Sequence, residues 1–312
     1  MPEIKSILSV DLGGSKIIVG IVDSGGHVVD HLKKDLPYPT SQEVLWDIIV
    51  SLCNNILDRN KQCKVCCAGV AIPGLADPEN GMWVYSSFSG IKDMPFTDIF
   101  YDKLGMKCYI ENDVNACALG EMHFGACKNT KDFIWVTISN GIGGSVVTDG
   151  KLLAGANKSA GEFGHICVDE NGPICKCGKQ GCLEACAAGP AILRRYIKLI
   201  GNDPETNESL VLNAEVIANK AKNGDAAAIQ VYEETGYYLG KAISTAVNIL
   251  NPEKIIFGGG VSASMDLFYP KLKETLDKMV FKQANPDIRI KQTALGYNAA
   301  LCGAAAVALQ RR

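Results

Sequence analysis

One histidine and three cysteines stand out by type and spacing: His165, Cys175, Cys177 and Cys182, in the pattern H-x9-C-x-C-x4-C. One imidazole and three thiolates make a closed tetrahedral zinc set with no position left for water, so the metal would be structural. Gly178 and Gly181 permit the tight loop that such a set needs. A redox switch would not call for the histidine, and disulfides are disfavoured in a reducing compartment. Cys167 and Cys186 read as packing residues, Cys186 on a helix. Cys63-x-x-Cys66 leads into a buried strand and reads the same way. Glu162 lies three residues before His165, and Glu184 two after Cys182. Either these are surface acids on loops, or zinc pins them as two fixed carboxylates suited to the donors and acceptors of sugar hydroxyls.

A second cluster is Glu111-Asn112-Asp113-Val114-Asn115, at a strand-to-helix junction. An N-cap needs only one Asp or Asn there, so this group exceeds capping, and Glu121 lies two turns along the same helix. Asp113 is the best candidate for a general base. Phosphoryl transfer to an alcohol needs a carboxylate to accept the hydroxyl proton, while alignment and charge neutralisation do most of the rest. Asn112 is placed to hydrogen-bond a polyol.

Three glycine turns follow buried strands: Gly13-Gly14-Ser15, Gly141-Ile142-Gly143-Gly144 and Gly258-Gly259-Gly260. Such turns let backbone N–H groups approach phosphate without a Cβ in the way. One alone is an ordinary tight turn; three together point to nucleotide phosphates. The P-loop pattern is absent, because Ala156-Asn157 separate Gly155 from Lys158. The dinucleotide fingerprint fails at Ser145-Val146. Asp11, just before the first turn, either holds Mg²⁺ beside bound phosphates or caps the turn itself. Lys16 either meets a phosphate or faces solvent.

The elements that must position these groups alternate between strand and helix, which implies an α/β fold. Strands are expected at Ile7–Asp11, Lys16–Val22, His27–Leu32, Cys66–Ile72, Cys108–Ile110, Phe133–Ile138, Val146–Val147, Lys151–Leu153 and Lys254–Phe257. Helices are expected over 42–58, 114–124, 190–200, 213–222, 226–250, 266–281 and 298–310. Leu12-Gly13-Gly14-Ser15 and Ile142-Gly143-Gly144-Ser145 hold equivalent places in a repeated strand, Gly-Gly turn, strand, tight turn, strand pattern. The repeat predicts two related lobes whose glycine turns face a shared cleft. The expected division is a small lobe over 1–111, to which the C-terminal helix 298–312 returns, and a large lobe over 112–297 with the zinc set and nucleotide-binding elements.

The chain has 312 residues, 13 of them cysteine, and a net charge of -3. That balance gives no electrostatic reason to expect nucleic acid. No apolar run approaches the about 18 residues of a membrane span. The N-terminal run breaks at Asp11, unlike a signal peptide. The expectation is a cytoplasmic protein with reduced thiols.

Together these residues resemble the ROK family of bacterial sugar kinases and related repressors. The motifs are Asp11-Leu-Gly-Gly-Ser-Lys16, Pro73-Gly74, Glu111-Asn-Asp-Val-Asn115, Gly141-Ile-Gly-Gly144, Gly161-Glu-Phe-Gly-His165, Cys175-Lys-Cys177, Gly181-Cys-Leu-Glu184 and Gly258-Gly-Gly-Val-Ser262. The resemblance implies a two-lobed, actin-like (ribonuclease-H-like) fold with sugar in the interlobe cleft, commonly as a homodimer. It implies ATP-dependent phosphorylation of a hexose, usually at C6, with Asp113 as base. Gly74, Asn112, Glu162, His165 and Glu184 would contact the sugar, with His165 serving zinc as well. Asp11, Gly13, Gly14, Ser15, Lys16, Asn140, Gly141 and Gly143 would serve the phosphates and Mg²⁺, and Gly258 to Gly260 the adenosine end of ATP.

Two departures bear on the substrate and the rate. Ser87 stands where glucokinase-like members carry an Asn that contacts sugar, and Ser139-Asn140-Gly141 replaces Gly-Thr-Gly. Glucose is the first expectation. N-acetylmannosamine, fructose or allose are the alternatives, as is a catalytically weak sugar-binding member. A repressor of the family carries a helix-turn-helix ahead of the first glycine turn. The ten residues before Asp11 read as strand, so the expectation is an enzyme without nucleic-acid or membrane partners.

Overall fold

The first strand, β1 (Lys5–Leu12), buries Ser6 and Ser9 as well as Ile7, Leu8, Val10 and Leu12, which is the pattern of a strand covered on both faces. The computed structural model describes residues 5–86, 90–201 and 212–311. In it, β1 pairs antiparallel with β2 (Lys16–Asp23), which pairs antiparallel with β3 (Val28–Asp35). After α1 (Gln42–Arg59), β4 (Lys64–Ile72) joins the other edge of β1 in parallel. Three short strands, β5 (Leu75–Asp77), β6 (Met82–Ser86) and β7 (Ile91–Met94), form a separate antiparallel sheet. Then α2 (Phe96–Leu104) leads to β8 (Cys108–Asn112), which adds beside β4 and runs directly into α3 (Asp113–His123).

The second part begins with β9 (Phe133–Ile138), β10 (Ile142–Thr148) and the short β11 (Lys151–Leu152). The helices α4 (Leu183–Ala187), α5 (Gly189–Ile200), α6 (Ala214–Lys222) and α7 (Ala226–Leu250) follow. Next come β12 (Lys254–Gly258), α8 (Met265–Met279), β13 (Arg289–Gln292) and finally α9 (Ala299–Arg311).

The chain forms two compact units. One comprises Met1–Thr130, Leu152–Ala160 and Thr293–Arg312; the other comprises Lys131–Lys151 and Gly161–Gln292. Their main sheets share one plan, β3-β2-β1-β4-β8 in the first and β11-β10-β9-β12-β13 in the second. The repeat read from the glycine turns is therefore a repeat of topology.

The first unit is held by the two faces of its sheet. Leu8, Val10, Leu12, Ile17, Val19 and Ile21 face Leu45, Ile49, Cys53 and Ile56 of α1. Ile7, Ile18, Val22 and Cys67 face Leu301, Ala305 and Ala308 of α9. Ser41 caps α1 by accepting the Val44 N–H. The side chains of α9 are small because its backbone lies almost on the sheet: a Cβ on Gly69 of β4 would sit 1.8 Å from the Ala304 carbonyl oxygen. Gly303 also meets α3 closely, since a Cβ there would fall 2.4 Å from the Ala116 carbonyl. Gly69→Ala should thus cost about 1–3 kcal/mol or more in chemical unfolding, because backbone must move to admit the methyl. Unchanged stability would mean that α9 is not seated as described.

Sequence patterns assign no element to residues 75–104, which hold β5, β6, β7 and α2. Strands of three to five residues are too short to display an alternation. The four residues of β13 are exposed or half-exposed, so they carry no apolar signal, yet they pair with β12 through the backbone. No helix among the described residues is long and apolar enough to cross a membrane.

Candidate active site

In the first unit, Asp11 is the next-to-last residue of β1, in register with Ala71 of β4 and Ile18 of β2. The turn that follows closes through the Gly13 N–H, which donates to the Lys16 carbonyl at 2.8 Å and leaves Gly14 and Ser15 exposed. Lys16 Nζ donates to the Tyr297 hydroxyl at 2.7 Å and lies over its ring. Nothing in the sequence signals that partner, which is 281 residues away.

At the β8–α3 junction Asn112 is the N-cap, its Oδ1 accepting the N–H groups of Val114 (3.0 Å) and Asn115 (3.2 Å). Its Nδ2 donates to the Gly74 carbonyl at 2.9 Å and to Asp113 Oδ1 at 3.0 Å. Gly74 itself has a φ of +86°, and a Cβ there would strike the Tyr85 carbonyl at 2.3 Å, so only glycine suits. Asn112 thus fixes both the start of the Asp113 helix and the turn that carries Gly74.

Asp113 Oδ1 also accepts the Val114 N–H at 3.0 Å. Burial pushes the Asp113 carboxyl up to about 6, and these hydrogen bonds only partly oppose it. Asp11 goes higher, to about 7, first through burial and then through the like charge of Asp113, with Lys16 acting against both. The charge of Asp113 is therefore felt at Asp11. Glu111 supports them from below. Its Oε1 accepts Asn112 N–H (3.0 Å) and Asn115 Nδ2 (3.2 Å), and its Oε2 accepts Arg311 Nη2 (3.2 Å). Glu121 does not join this group. It is fully buried and accepts from Thr293 Oγ1, Ala294 N–H and Ala126 N–H, so it fastens the end of α3.

In the second unit the glycine turn Ser139–Ile142 lies between β9 and β10. The Ser139 N–H donates to the Gly141 carbonyl (2.9 Å), and the Ser139 carbonyl accepts the Gly189 N–H (2.8 Å). Asn140 is exposed, while Gly141 and Gly143 are half-buried. Gly258 ends β12 beside Thr137 of β9, and Gly259 lies against Ile138, where a Cβ would meet the Ile138 carbonyl at 2.4 Å. The turn at 139–143 and Gly258–Gly260 are hence brought together at one end of this sheet. Gly259 and Gly260 are exposed, and Gly258 is buried under the Trp135 ring.

The ligand atoms of His165, Cys175, Cys177 and Cys182 all lie within 4.8 Å of one another. Cys177 Sγ is 3.6 Å from Cys182 Sγ, and Cys175 Sγ is 3.9 Å from His165 Nδ1. Zinc–sulfur bonds of about 2.3 Å at tetrahedral angles put sulfurs about 3.8 Å apart, so this donor set fits the ion in chemistry and in size. Backbone hydrogen bonds shape the loop: Gly178 N–H to Cys175 carbonyl at 2.9 Å, and Gly181 N–H to Pro173 carbonyl at 2.9 Å. His165 turns Nδ1 to the thiols and Nε2 toward Glu162, 3.9 Å away. Glu162 is largely exposed; Glu184, half-buried, already accepts the Ile142 N–H on Oε2 at 3.0 Å. The sequence carries no sign of that last bond.

Two cysteine expectations need correction. Cys186 is 2% exposed and packs in the core, but Cys167 is exposed, although it bridges strand-like to the buried Cys182. Cys66 is exposed too, on the strand position opposite to its buried neighbour Cys67. Ser87 lies outside the described residues.

A carboxylate pair at a glycine turn in one unit, and glycine turns beside a set of one histidine and three cysteines in the other, on twice-repeated sheets, define the class of actin-like sugar kinases and their relatives. The ROK family matches the chain over residues 7–311. The chain is 32% identical to the glucokinase of Thermotoga maritima, across 100% of its own length and 99% of that protein. It is 27% identical to the DNA-binding transcriptional dual regulator NagC of Escherichia coli, across 94% of its own length and 73% of that protein. A ROK family glucokinase from Streptomyces griseus, solved in complex with glucose and AMPPNP, matches with a TM-score of 0.84 at 28% identity, covering 98% of this chain and 99% of that one. This chain belongs to the ROK family, and its fold is the two-lobed actin-like fold of that family.

Proposed function

We propose that this protein is an ATP-dependent hexose kinase of the glucokinase type, with Asp113 as the general base. The observation that carries the assignment of the base is the Asp113 carboxyl itself, held at the start of α3 by Asn112 and raised toward neutrality by burial. The glucokinase relatives, matched over 95% to 100% of the chain, carry the activity. The acceptor is a hexose hydroxyl, assigned to C6. Its oxygen bonds to the γ-phosphorus as the bond from phosphorus to the ADP oxygen breaks, and its proton passes to Asp113. Oδ1 is engaged by Asn112 and Val114, so Oδ2 is the oxygen assigned to that proton.

The other roles follow the chemistry of each group. Gly74, Asn112, Ser87, Glu162, His165 and Glu184 are assigned to the sugar. The turns at Gly13–Lys16 and Asn140–Gly143 are assigned to phosphates, and Gly258–Gly260 to the adenosine end. Asp11 would hold Mg²⁺ or its waters, and that ion would neutralise phosphate charge. Zinc on His165, Cys175, Cys177 and Cys182 would be structural, fixing the segments that carry Glu162 and Glu184. None of the 13 cysteines is in a disulfide, which suits a cytoplasmic enzyme. A homodimer is the expected assembly.

Glucose is the assigned substrate, ahead of N-acetylmannosamine, fructose and allose. A coupled ADP-release screen over hexoses and N-acylhexosamines tests this: ADP should form with Mg-ATP and glucose, and ADP formation with none of the panel would refute the kinase reading. The pH dependence has a defined sign. A base works deprotonated, so a carboxyl raised to about 6 removes activity on the acid side. The kcat/KM of the free enzyme should fall about tenfold per pH unit below that value, and a profile flat from pH ~7 to ~5 would take Asp113 out of the role.

A further inference from the structure

Glu184 follows the zinc-ligand candidate Cys182 by two residues, yet its carboxylate is directed at the glycine turn. Oε2 accepts the Ile142 N–H at 3.0 Å. The fit is close: a Cβ on Gly141 would fall 2.5 Å from that same oxygen. On the other side of the residue, a Cβ on Gly164 would fall 2.1 Å from the Ile142 carbonyl and 3.5 Å from Glu184 Cβ. The Gly189 N–H, five residues beyond Glu184, holds the Ser139 carbonyl at 2.8 Å. The turn is therefore braced at both ends by the segment that follows Cys182, and one brace is a charge-assisted hydrogen bond, the stronger kind. That bond fixes the plane of the peptide between Gly141 and Ile142. It thereby sets where the exposed part of the turn, Asn140 and Gly141, points.

We infer that Glu184 is a positioning residue for the nucleotide: Oε2 braces the phosphate-holding turn while Oε1 remains for a sugar hydroxyl, so one carboxylate links the two substrate sites. This rests on the kinase reading above. It differs from a sugar-ligand role because it requires Glu184 to matter to nucleotide binding when no sugar is present.

The test is calorimetric titration of the zinc-loaded full chain with Mg-AMPPNP in the absence of sugar. Glu184→Ala should weaken nucleotide binding about tenfold or more, the effect of losing one charge-assisted bond. Glu184→Gln keeps the length and an acceptor oxygen for the Ile142 N–H but not the charge, so its nucleotide affinity should fall between those of the parent and the alanine variant. Glu184→Asp keeps the charge but not the reach, so it should lose affinity as the alanine variant does. It also serves as the test if the alanine variant fails to fold. Zinc content and melting temperature are measured on every variant. Unchanged nucleotide affinity in Glu184→Ala or Glu184→Asp, with only the KM for hexose raised, would overturn the inference and leave the kinase reading standing. The reverse order of the variants, with Asp retaining affinity and Gln losing it, would also overturn it, since charge rather than bracing would be at work. A parent protein that binds no nucleotide would bring down the kinase reading itself.

Discussion

Asp113→Asn should lower hexose-dependent turnover by about 10²–10⁴-fold, the range expected when a general base is lost. The substitution is nearly isosteric. The new side-chain amide would keep an acceptor oxygen for the Val114 N–H, and the Asn112 bond to Gly74 does not involve residue 113. Sugar affinity should therefore change little while kcat collapses, and a binding titration beside the rate assay separates the two. The same variant should gain stability. The folded-state carboxyl lies near 6 against an ordinary 3.8, so its contribution is fully present only below the ordinary value and is lost as pH rises through about 6. At pH above 7 the parent holds a buried charge that the amide does not, a difference of about 3 kcal/mol at 1.36 kcal/mol per pKa unit. Loss of activity with a gain in unfolding free energy is the signature of a functional carboxylate held against its own preference. Normal turnover in Asp113→Asn would remove this residue from the role of base.

The second large effect concerns the set formed by His165, Cys175, Cys177 and Cys182. Metal analysis of protein purified without chelator should give about one zinc per chain, as a four-ligand closed site requires. Cys182→Ala should lose the metal. Cys175 and Cys182 are buried, and the loop between them is short and closed by few backbone bonds, so the ion would be its main internal tie. Glu162 and Glu184 lie just outside the set, and Glu184 braces the Ile142 turn. Both substrates should suffer together, with turnover reduced about 10²-fold or more and KM raised for ATP as well as for sugar. The loop keeps metal-independent anchors on α7, where Tyr238 donates to Asp169 at 3.1 Å and Lys241 to the Val168 carbonyl, so the core of that unit should stay folded. A zinc-free protein with full activity would end the structural-metal reading.

The features legible in the sequence are those in which residue type alone restricts what a segment can do. Glycine pairs after buried strands mark the two topologically equal sheets. The H-x9-C-x-C-x4-C spacing marks four ligand atoms that come within 4.8 Å. Asn112-Asp113 at a strand-to-helix junction marks the cap and the raised carboxyl. What stays hidden depends on partners far along the chain. Glu121 reads as one more acid of the cluster until Thr293 and Ala294 are seen to satisfy it. Lys16 gives no sign in the sequence of its contact with Tyr297, 281 residues away. Cys167 and Cys186 are alike in sequence, and only the loop's path exposes one and buries the other. The strands β5, β6, β7 and β13 are set by backbone pairing over three to five residues, a length at which side-chain pattern carries almost no information.

The central claim is tested most directly by following the γ-phosphate. The enzyme is incubated with Mg²⁺, glucose and ATP labelled at the γ-phosphorus, and the label is traced by chromatography and mass. The label should appear in a hexose monophosphate in one-to-one proportion with ADP, with the phosphate on the C6 oxygen. Label found only in inorganic phosphate, or retained in ATP with every hexose offered, would contradict the account.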